Sequence, residues 1–252
     1  EVTSPTKGFL PPRLSEIQRD AIIDPAAGLI IYNITSKTPN YFDGTQWVSL
    51  HNKKPNESAT ICYQTWMVEN LDVATYRDGT PIPEVQDPTK WMTLTTGAWC
   101  YYNNDPANGD IYGKLYNWYA VAGIHDNDPG TPNKELAPLG WHIPSNTEWD
   151  ATISCLGGDS AAGGAMKETG TTHWINPNMN ATNISDFTGL PGGFLIDSNP
   201  NFQQIGQQGY WWSSTEHSNI SSREYFLQYG HGTILNSVLA KQYGLSVRCV
   251  KD

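Results

Sequence analysis

Long hydrophobic runs are missing from this 252-residue chain. Nothing approaches the roughly 18 consecutive apolar residues of a membrane-crossing helix, so no membrane insertion is expected. Charge is scarce: Asp, Glu, Lys and Arg supply 16% of the residues, against roughly 25% in ordinary soluble domains. No basic cluster relieves the net charge of −10. Without clustered Lys and Arg to neutralise phosphates, a nucleic-acid surface is excluded. The Ala, Glu, Lys and Leu excess of a coiled coil is absent, and so is the aromatic poverty of a disordered chain. HExxH, GxSxG and GxGxxG, the local signatures of zinc, serine and dinucleotide chemistry, do not occur. Gly158–Gly164 opens like a phosphate-binding loop, yet Gly164 stands where a lysine must reach the phosphates, and a predicted helix precedes it instead of a strand. An ordinary loop is expected there, and no cofactor is implied.

Cysteine is also sparse. Cys62, Cys100, Cys155 and Cys249 are well separated, which removes both a CxxC redox pair and a zinc knuckle. An even count in a low-charge chain rich in Asn, Ser, Thr and aromatics favours two long-range disulfides in an exported protein over four buried thiols. Glu1-Val2-Thr3-Ser4 has neither a basic start nor an apolar segment, so an exported chain would be a mature or trimmed form. The histidines show no paired ligand spacing, and His142 beside Trp141 is expected to pack. Asp105, Asn108 and Asp110 form a D-x-x-N-x-D run whose hard oxygens would suit calcium; a turn made by Asx side chains is the competing reading. The loop His125-Asp126-Asn127-Asp128 is a weaker calcium candidate, and no other metal site is expected. The N-x-[ST] sequons at Asn33, Asn56, Asn180, Asn183 and Asn219 read as markers of solvated loops.

Flat aromatics are what the chain has in excess: 10 Trp and 13 Tyr stand against 6 Phe. Rings with an apolar face and a polar edge suit sugar stacking and protein interfaces. Trp174, Tyr210, Trp211, Trp212, Tyr225 and Tyr229 all fall in the C-terminal half. Strand alternation turns Trp211 and Trp212 to opposite faces, one expected in the core and the other at the surface. Anchoring of all six in the core is the competing reading.

Residues 1–50 read as a small module of one helix and three short strands. Ser15-Glu16-Ile17-Gln18 fits a capping box for a helix reaching Ile22. Leu29–Tyr32 is a short strand, and Asp43-Gly44 is a tight turn between two more. Such a module buries little surface alone, so Leu29, Ile31, Tyr41 and Trp47 are expected to pack against neighbours. Residues 51–58 are polar and read as a linker. From 59 to 252 the pattern is α+β. Thr60–Val68 and Ala98–Tyr102 read as strands, and Tyr112–Ala122 has helical spacing. A capping box at Ser145–Glu148 opens a helix that Gly157-Gly158 ends. The segment Gly158–Gln208 reads as a long irregular region. The strands Tyr210–Ser213, Glu224–Tyr229, Thr233–Leu235 and Leu245–Val250 follow.

Several blocks together carry a family resemblance: Gln64-Thr65-Trp66-Met67-Val68-Glu69-Asn70-Leu71, Trp99–Asp105, Tyr112–Trp118, Gly140–Ser145 with Glu148-Trp149, Leu190–Gly193, Tyr210–Glu216 and Gly244–Val250. In this order they resemble the Fibrobacter succinogenes major paralogous domain family of Bacteroidetes and Fibrobacteres surface proteins, over about residues 60–252. Gly8–Arg13 and Gly28–Asn33 resemble a module that precedes such domains in Bacteroidetes surface and fibre proteins. The helix block and last strand are also similar to the formylglycine-generating-enzyme branch of the C-type lectin-like fold. That resemblance implies two helices, a twisted antiparallel sheet and a long loop region. It also implies disulfides Cys155–Cys249 and Cys62–Cys100, although Ala137-Pro138 stands where relatives often carry a cysteine. The copper-binding cysteine pair of that enzyme and the calcium motifs of sugar-binding lectins have no counterpart.

The expectation is therefore a non-catalytic extracellular recognition or adhesion module at a cell surface or fibre tip, homo-oligomeric with a trimer favoured, binding a glycan or protein. Its binding surface is expected between Tyr210 and Gly244, from Trp212, His217, Asn219, Arg223, Tyr225, Tyr229 and His231, with Trp174 added from the long loop. Rigid rings beside short polar groups make adaptable surfaces, although Arg223 could simply pair with Glu216 or Glu224. A filament cap or subunit without its own ligand is the alternative, ahead of a hydrolase.

Overall fold

The computed structural model describes residues 10–35, 38–49, 57–196 and 201–252 and divides into two compact units, residues 1–55 and 56–252. The first unit is a sheet in the order β1-β2-β3-β4, from β1 (Arg13–Leu14), β2 (Ile30–Asn33), β3 (Thr38–Phe42) and β4 (Trp47–Ser49), with α1 (Glu16–Asp20) between the first two. β1 runs parallel to β2, and the other neighbours pair antiparallel. The capping box forms: Ser15 Oγ accepts the Gln18 amide, and Gln18 Oε1 accepts the Ser15 amide. The turn forms too, with Asp43 Oδ1 accepting from the Thr45 and Gln46 amides and Gly44 at φ 106°. The sheet has four strands where the sequence suggested three. The helix stops short of Ile22, its last turn closing through Ala21. Ile31 is buried, whereas Leu29, Tyr41 and Trp47 are only half-buried. Gly8, Phe9 and most of the expected 51–58 linker lie outside the described residues.

The second unit is mixed α+β. Its strands are β5 (Ser58–Ile61), β6 (Gln64–Met67), β7 (Trp99–Cys100), β8 (Leu115–Tyr116), β9 (Trp141–His142), β10 (Phe194–Leu195), β11 (Phe202–Gln203), β12 (Gln208–Glu216), β13 (Ser221–Gln228), β14 (Leu235–Ala240) and β15 (Val250–Lys251). Its helices are α2 (Pro88–Trp91), α3 (Pro106–Tyr112), α4 (Trp118–Val121), α5 (Asn146–Cys155) and α6 (Asp159–Met166). The strands form small antiparallel sheets, the main ones ordered β5-β6-β15-β9 and β12-β13-β14. Helices are therefore more numerous than the two expected, and no single sheet dominates.

Three local expectations need correction. The 112–122 segment is not one helix: Gly113, at φ 73° and ψ −163°, ends α3, β8 follows, and Asn117 caps α4 through the Ala120 amide. Thr60–Val68 is a hairpin that turns at Cys62-Tyr63, with Cys62 at φ 58°. Gly158–Gly164 is mostly helix, because Asp159 starts α6 and the glycines there meet other backbone closely: a Cβ on Gly163 or Gly164 would collide with residues 232–234 or with Asn180.

The β12-β13-β14 sheet is covered on both faces. One side carries Trp212 into a cluster with Tyr116, Trp118, Leu245 and Val247. The other carries Trp211, Tyr225 and Leu227 into a cluster with Trp66, Trp149, Trp174 and Phe187. Trp211 and Trp212 do alternate, and both are fully buried, so neither supplies a surface ring.

The disulfide pairing also differs. Cys62, at the β5–β6 turn, bonds Cys155 at the end of α5, with Cα atoms 6.6 Å apart. Cys100 and Cys249 are free and buried. The expected partners are unavailable because each sits in the apolar interior: Cys100 packs with Trp91, Leu115 and Leu195, and Cys249 with Tyr116 and Val247. Burial pushes the Cys249 thiol up to about 12, so it stays protonated and inert.

Candidate functional site

The residues expected to form one binding surface do not converge. Trp174 is 1% exposed, and its indole N–H donates to the Gly189 carbonyl at 3.0 Å. Trp212 is fully buried and donates to the Tyr116 carbonyl at 2.9 Å. Tyr225 stacks on Trp149 at 4.8 Å and donates to Asp150 Oδ1 at 2.7 Å. These three are core, because an indole or phenol edge is the donor a buried irregular backbone needs. Arg223 is half-buried and donates to Asn236 Oδ1 rather than to Glu216 or Glu224. Tyr229 is half-buried against the Trp149 cluster, and His231 lies within 3.1 Å of Gln228 Oε1. His217 and Asn219 are exposed in the turn before β13, whereas Tyr229 and His231 follow its end. An eight-residue strand separates the two pairs, about 26 Å at the usual rise per residue. His217 and Asn219 thus lie at one end of β13, and Tyr229 and His231 at the other.

The motif blocks are core hardware for the same reason. Asn70 Oδ1 accepts from Trp211 Nε1 and from Nε and Nη2 of Arg248, while its own amide donates to the Tyr112 carbonyl. Arg248 Nη1 reaches the Met67 and Phe187 carbonyls. Burial pulls this guanidinium down to about 9. Lys114 donates to Asp72 and Tyr101 and lies 4.4 Å from the Trp99 ring centre. Lys167 donates to three carbonyls, of Met179, Gln228 and His231, and burial lowers it to about 8. Each polar side chain ties irregular loops together where no ladder can.

The calcium candidate resolves as a cap. Asp105 Oδ1 accepts the Ala107 amide at the start of α3, and Asn108 Nδ2 donates to the Tyr102 carbonyl. Asp110 is exposed. Among the described residues no cluster of three or more His, Cys, Asp or Glu side chains is placed to hold a metal. Of the sequons, Asn33 is fully buried, Asn180 and Asn219 are exposed, Asn183 is half-buried, and Asn56 lies outside the described residues.

Among the described residues, a concave surface lies on the long connection from α4 to β9. A neck closes this loop: the Lys134 amide donates to the Gly123 carbonyl, and Gly123 at φ 72° sits so close to Lys134 that a Cβ would strike its backbone. Inside the loop Asp126 Oδ1 accepts the Asp128 amide, and Asp128 Oδ1 accepts the Gly130 amide. Thr95 Oγ1 donates to Asn127 Oδ1 at 2.7 Å, tethering the tip. His125 lies edge-on to Tyr76 and 3.3 Å from Asp126 Oδ2.

Two hollows result, sharing Thr131 and Asn133. The first, about 280 Å³, is lined by Ile124, Asp126, Asn127, Asp128 and Pro129 among others. The second, about 420 Å³, adds Arg77, Asp78, Lys134 and Glu135. Its charges are mostly engaged. Lys134 Nζ meets Asp78 Oδ2 at 2.5 Å, and the pairing drives that carboxyl far below its usual range. Arg77 donates to the Ala137, Pro138 and Trp141 carbonyls. Asn127 Nδ2, Asp128 Oδ2, the Thr131 hydroxyl and the Asn133 amide have no hydrogen bond within the described residues. Three of these four groups are uncharged; Asn127, Asp128 and Asn133 are exposed and Thr131 is half-buried, and the same hollows are lined by Ile124, Pro129 and Pro132. The sequence pointed to part of this site only through the loop His125-Asp126-Asn127-Asp128, read as a weaker calcium candidate.

A family model described as the Fibrobacter succinogenes major domain matches residues 59–251. A second, described as a phage tail like trimerisation region, matches residues 1–61. No curated protein and no solved structure matches the chain.

Proposed function

The chain belongs to the Fibrobacter succinogenes major domain family, and we propose that it is a non-catalytic extracellular recognition or adhesion module, displayed as a homotrimer at a cell surface or fibre tip. The lectin-like arrangement and the Bacteroidetes surface setting that the sequence resembles are part of this proposal. Its ligand is a glycan taken at the paired hollows, not on residues 210–244. The observation that carries this reading is the set of unengaged neutral groups, Asn127 Nδ2, Thr131 Oγ1 and the Asn133 amide, beside small apolar side chains. Amide and hydroxyl groups of that kind exchange hydrogen bonds with sugar hydroxyls, and the flanking prolines meet the ring's apolar face. Glu224, Lys167 and Arg248, whose proton affinities burial displaces, are sealed in the core and line neither hollow, and the displaced Asp78 carboxyl on the second hollow is already paired with Lys134, which supports a non-catalytic role.

A glycan array probed with the full chain tests this. Thr131→Ala with Asn133→Ala, which removes no hydrogen bond of the loop, should abolish a positive signal and leave the melting temperature within about 2 °C. An unchanged signal would move the site away from the loop. Absence of any glycan signal, together with trimeric mass, would favour a filament cap or subunit, the reading that the trimerisation-region match at residues 1–61 supports.

A further inference from the structure

Outside the hollows, one side-chain cluster joins three separate parts of the second unit. His142, in β9, has Nε2 at 2.6 Å from Glu148 Oε1 and Nδ1 at 2.8 Å from Asp252 Oδ1. Glu148 lies in the first turn of α5, and Asp252 follows β15. An ionised carboxylate oxygen accepts and never donates, so both ring nitrogens must carry protons for both contacts to be hydrogen bonds. The geometry therefore demands an imidazolium between two carboxylates. We propose that His142 is a pH-operated latch that fastens the end of the last strand to β9 and α5 when protonated and releases it when neutral.

The two carboxylates are not held equally, and this decides which contact opens. Glu148 Oε2 also accepts the Ser145 amide at 2.8 Å and the Ser145 hydroxyl at 2.7 Å. Asp252 Oδ1 has only His142, besides the bond from the Asp252 amide to the Gly140 carbonyl. When the imidazolium loses one proton, the ring keeps Nε2–H on the anchored Glu148. The Nδ1 lone pair then faces the Asp252 carboxylate, and that side is expelled. The charged groups facing the ring are Glu148 from α5 and Asp252 beyond β15; from β9 itself Trp141 contributes only its carbonyl, held by Arg77. Partial burial lowers the affinity of His142 for its proton, but the two carboxylates outweigh it and the net displacement is upward. A raised value in the folded state means the latch is fully closed below the ordinary value of about 6.5 and is lost as pH rises through the folded value. The latch is independent of the ligand proposed above.

Long-range ¹H–¹⁵N spectra of the full chain read the His142 ring directly, and amide exchange reads the strand end. The ring should titrate above 6.5 with both nitrogens protonated in the acid form. Protection of the Asp252 amide, corrected for intrinsic exchange, should be lost progressively as pH rises through the midpoint. His142→Gln should make that protection independent of pH. Asp252→Asn, which removes only the weakly held outer carboxylate, should lower the His142 midpoint even if the Gln variant folds poorly. A midpoint at or below 6.5, or an Asp252→Asn variant with the wild-type midpoint and protection profile, would overturn the latch.

Discussion

Glu224 shows how a single side chain can set the acid–base behaviour of this fold. It is fully buried in β13; Oε1 accepts from the Ser237 hydroxyl at 2.5 Å, and Oε2 has no partner. Desolvation outweighs the Ser237 bonds and pushes the carboxyl up to about 7. The folded state thus binds a proton that the unfolded chain releases near 4.5. Stability from this source is complete below about 4.5 and is lost as pH rises through about 7. A displacement of that size corresponds to about 3 kcal/mol. Glu224→Gln, neutral at every pH, should flatten the slope of the urea midpoint between pH 5 and pH 8. His142 contributes a slope of the same sign, so the comparison is between variant and wild type at each pH. A variant that keeps the wild-type slope would rule Glu224 out as its source. At this scale the sequence was least readable. Composition announced the aromatics, but whether an indole meets water or a backbone carbonyl depends on the loops packed above it. Trp174, Trp212 and Tyr225 all meet protein, and the Asn127–Asn133 groups that meet water carried no distinctive signal.

Elements whose boundaries are set locally were legible. The Ser15 and Ser145 capping boxes both formed, since a side chain closing on an amide three residues away needs no tertiary help. Tyr112–Ala122 misled because its aromatics have helical spacing, while Gly113 and the Asn117 cap divide the segment. The cysteines misled by analogy. The helix cysteine does bond, but to the hairpin tip at Cys62, which only becomes visible once Thr60–Val68 folds back on itself. Mass spectrometry of a non-reduced digest should therefore show a Cys62–Cys155 link, with Cys100 and Cys249 alkylated only after denaturation. With the bonded pair 93 positions apart in sequence, the chain-entropy account assigns the link roughly 4–5 kcal/mol. Cys62→Ser with Cys155→Ser should lower the urea midpoint accordingly. A linked Cys155–Cys249 peptide would refute this pairing.

For the whole molecule, the contrast between the two units matters most. The larger one buries three aromatic-rich clusters, whereas in the first unit Ile31 is the one fully buried apolar side chain among the described residues. Leu10, Ile17 and Ile23 there are 79%, 83% and 88% exposed. Single exposed apolar residues are ordinary on a monomer, but three within fourteen positions, beside half-exposed Ile30 and Ile34, are covered at little cost by further copies of the same surface. The match of residues 1–61 to a trimerisation region supports three copies. Sedimentation equilibrium of the full chain should then give three times the 27.9 kDa chain mass. Ile17→Asp with Ile23→Asp places charge where partners would exclude water, and should shift the distribution to monomer. The near-ultraviolet spectrum should stay unchanged, because it is dominated by tryptophans of the second unit. A trimer that survives both substitutions would place the contact on other residues of the first unit, and a wild-type chain of single mass would remove the trimer altogether.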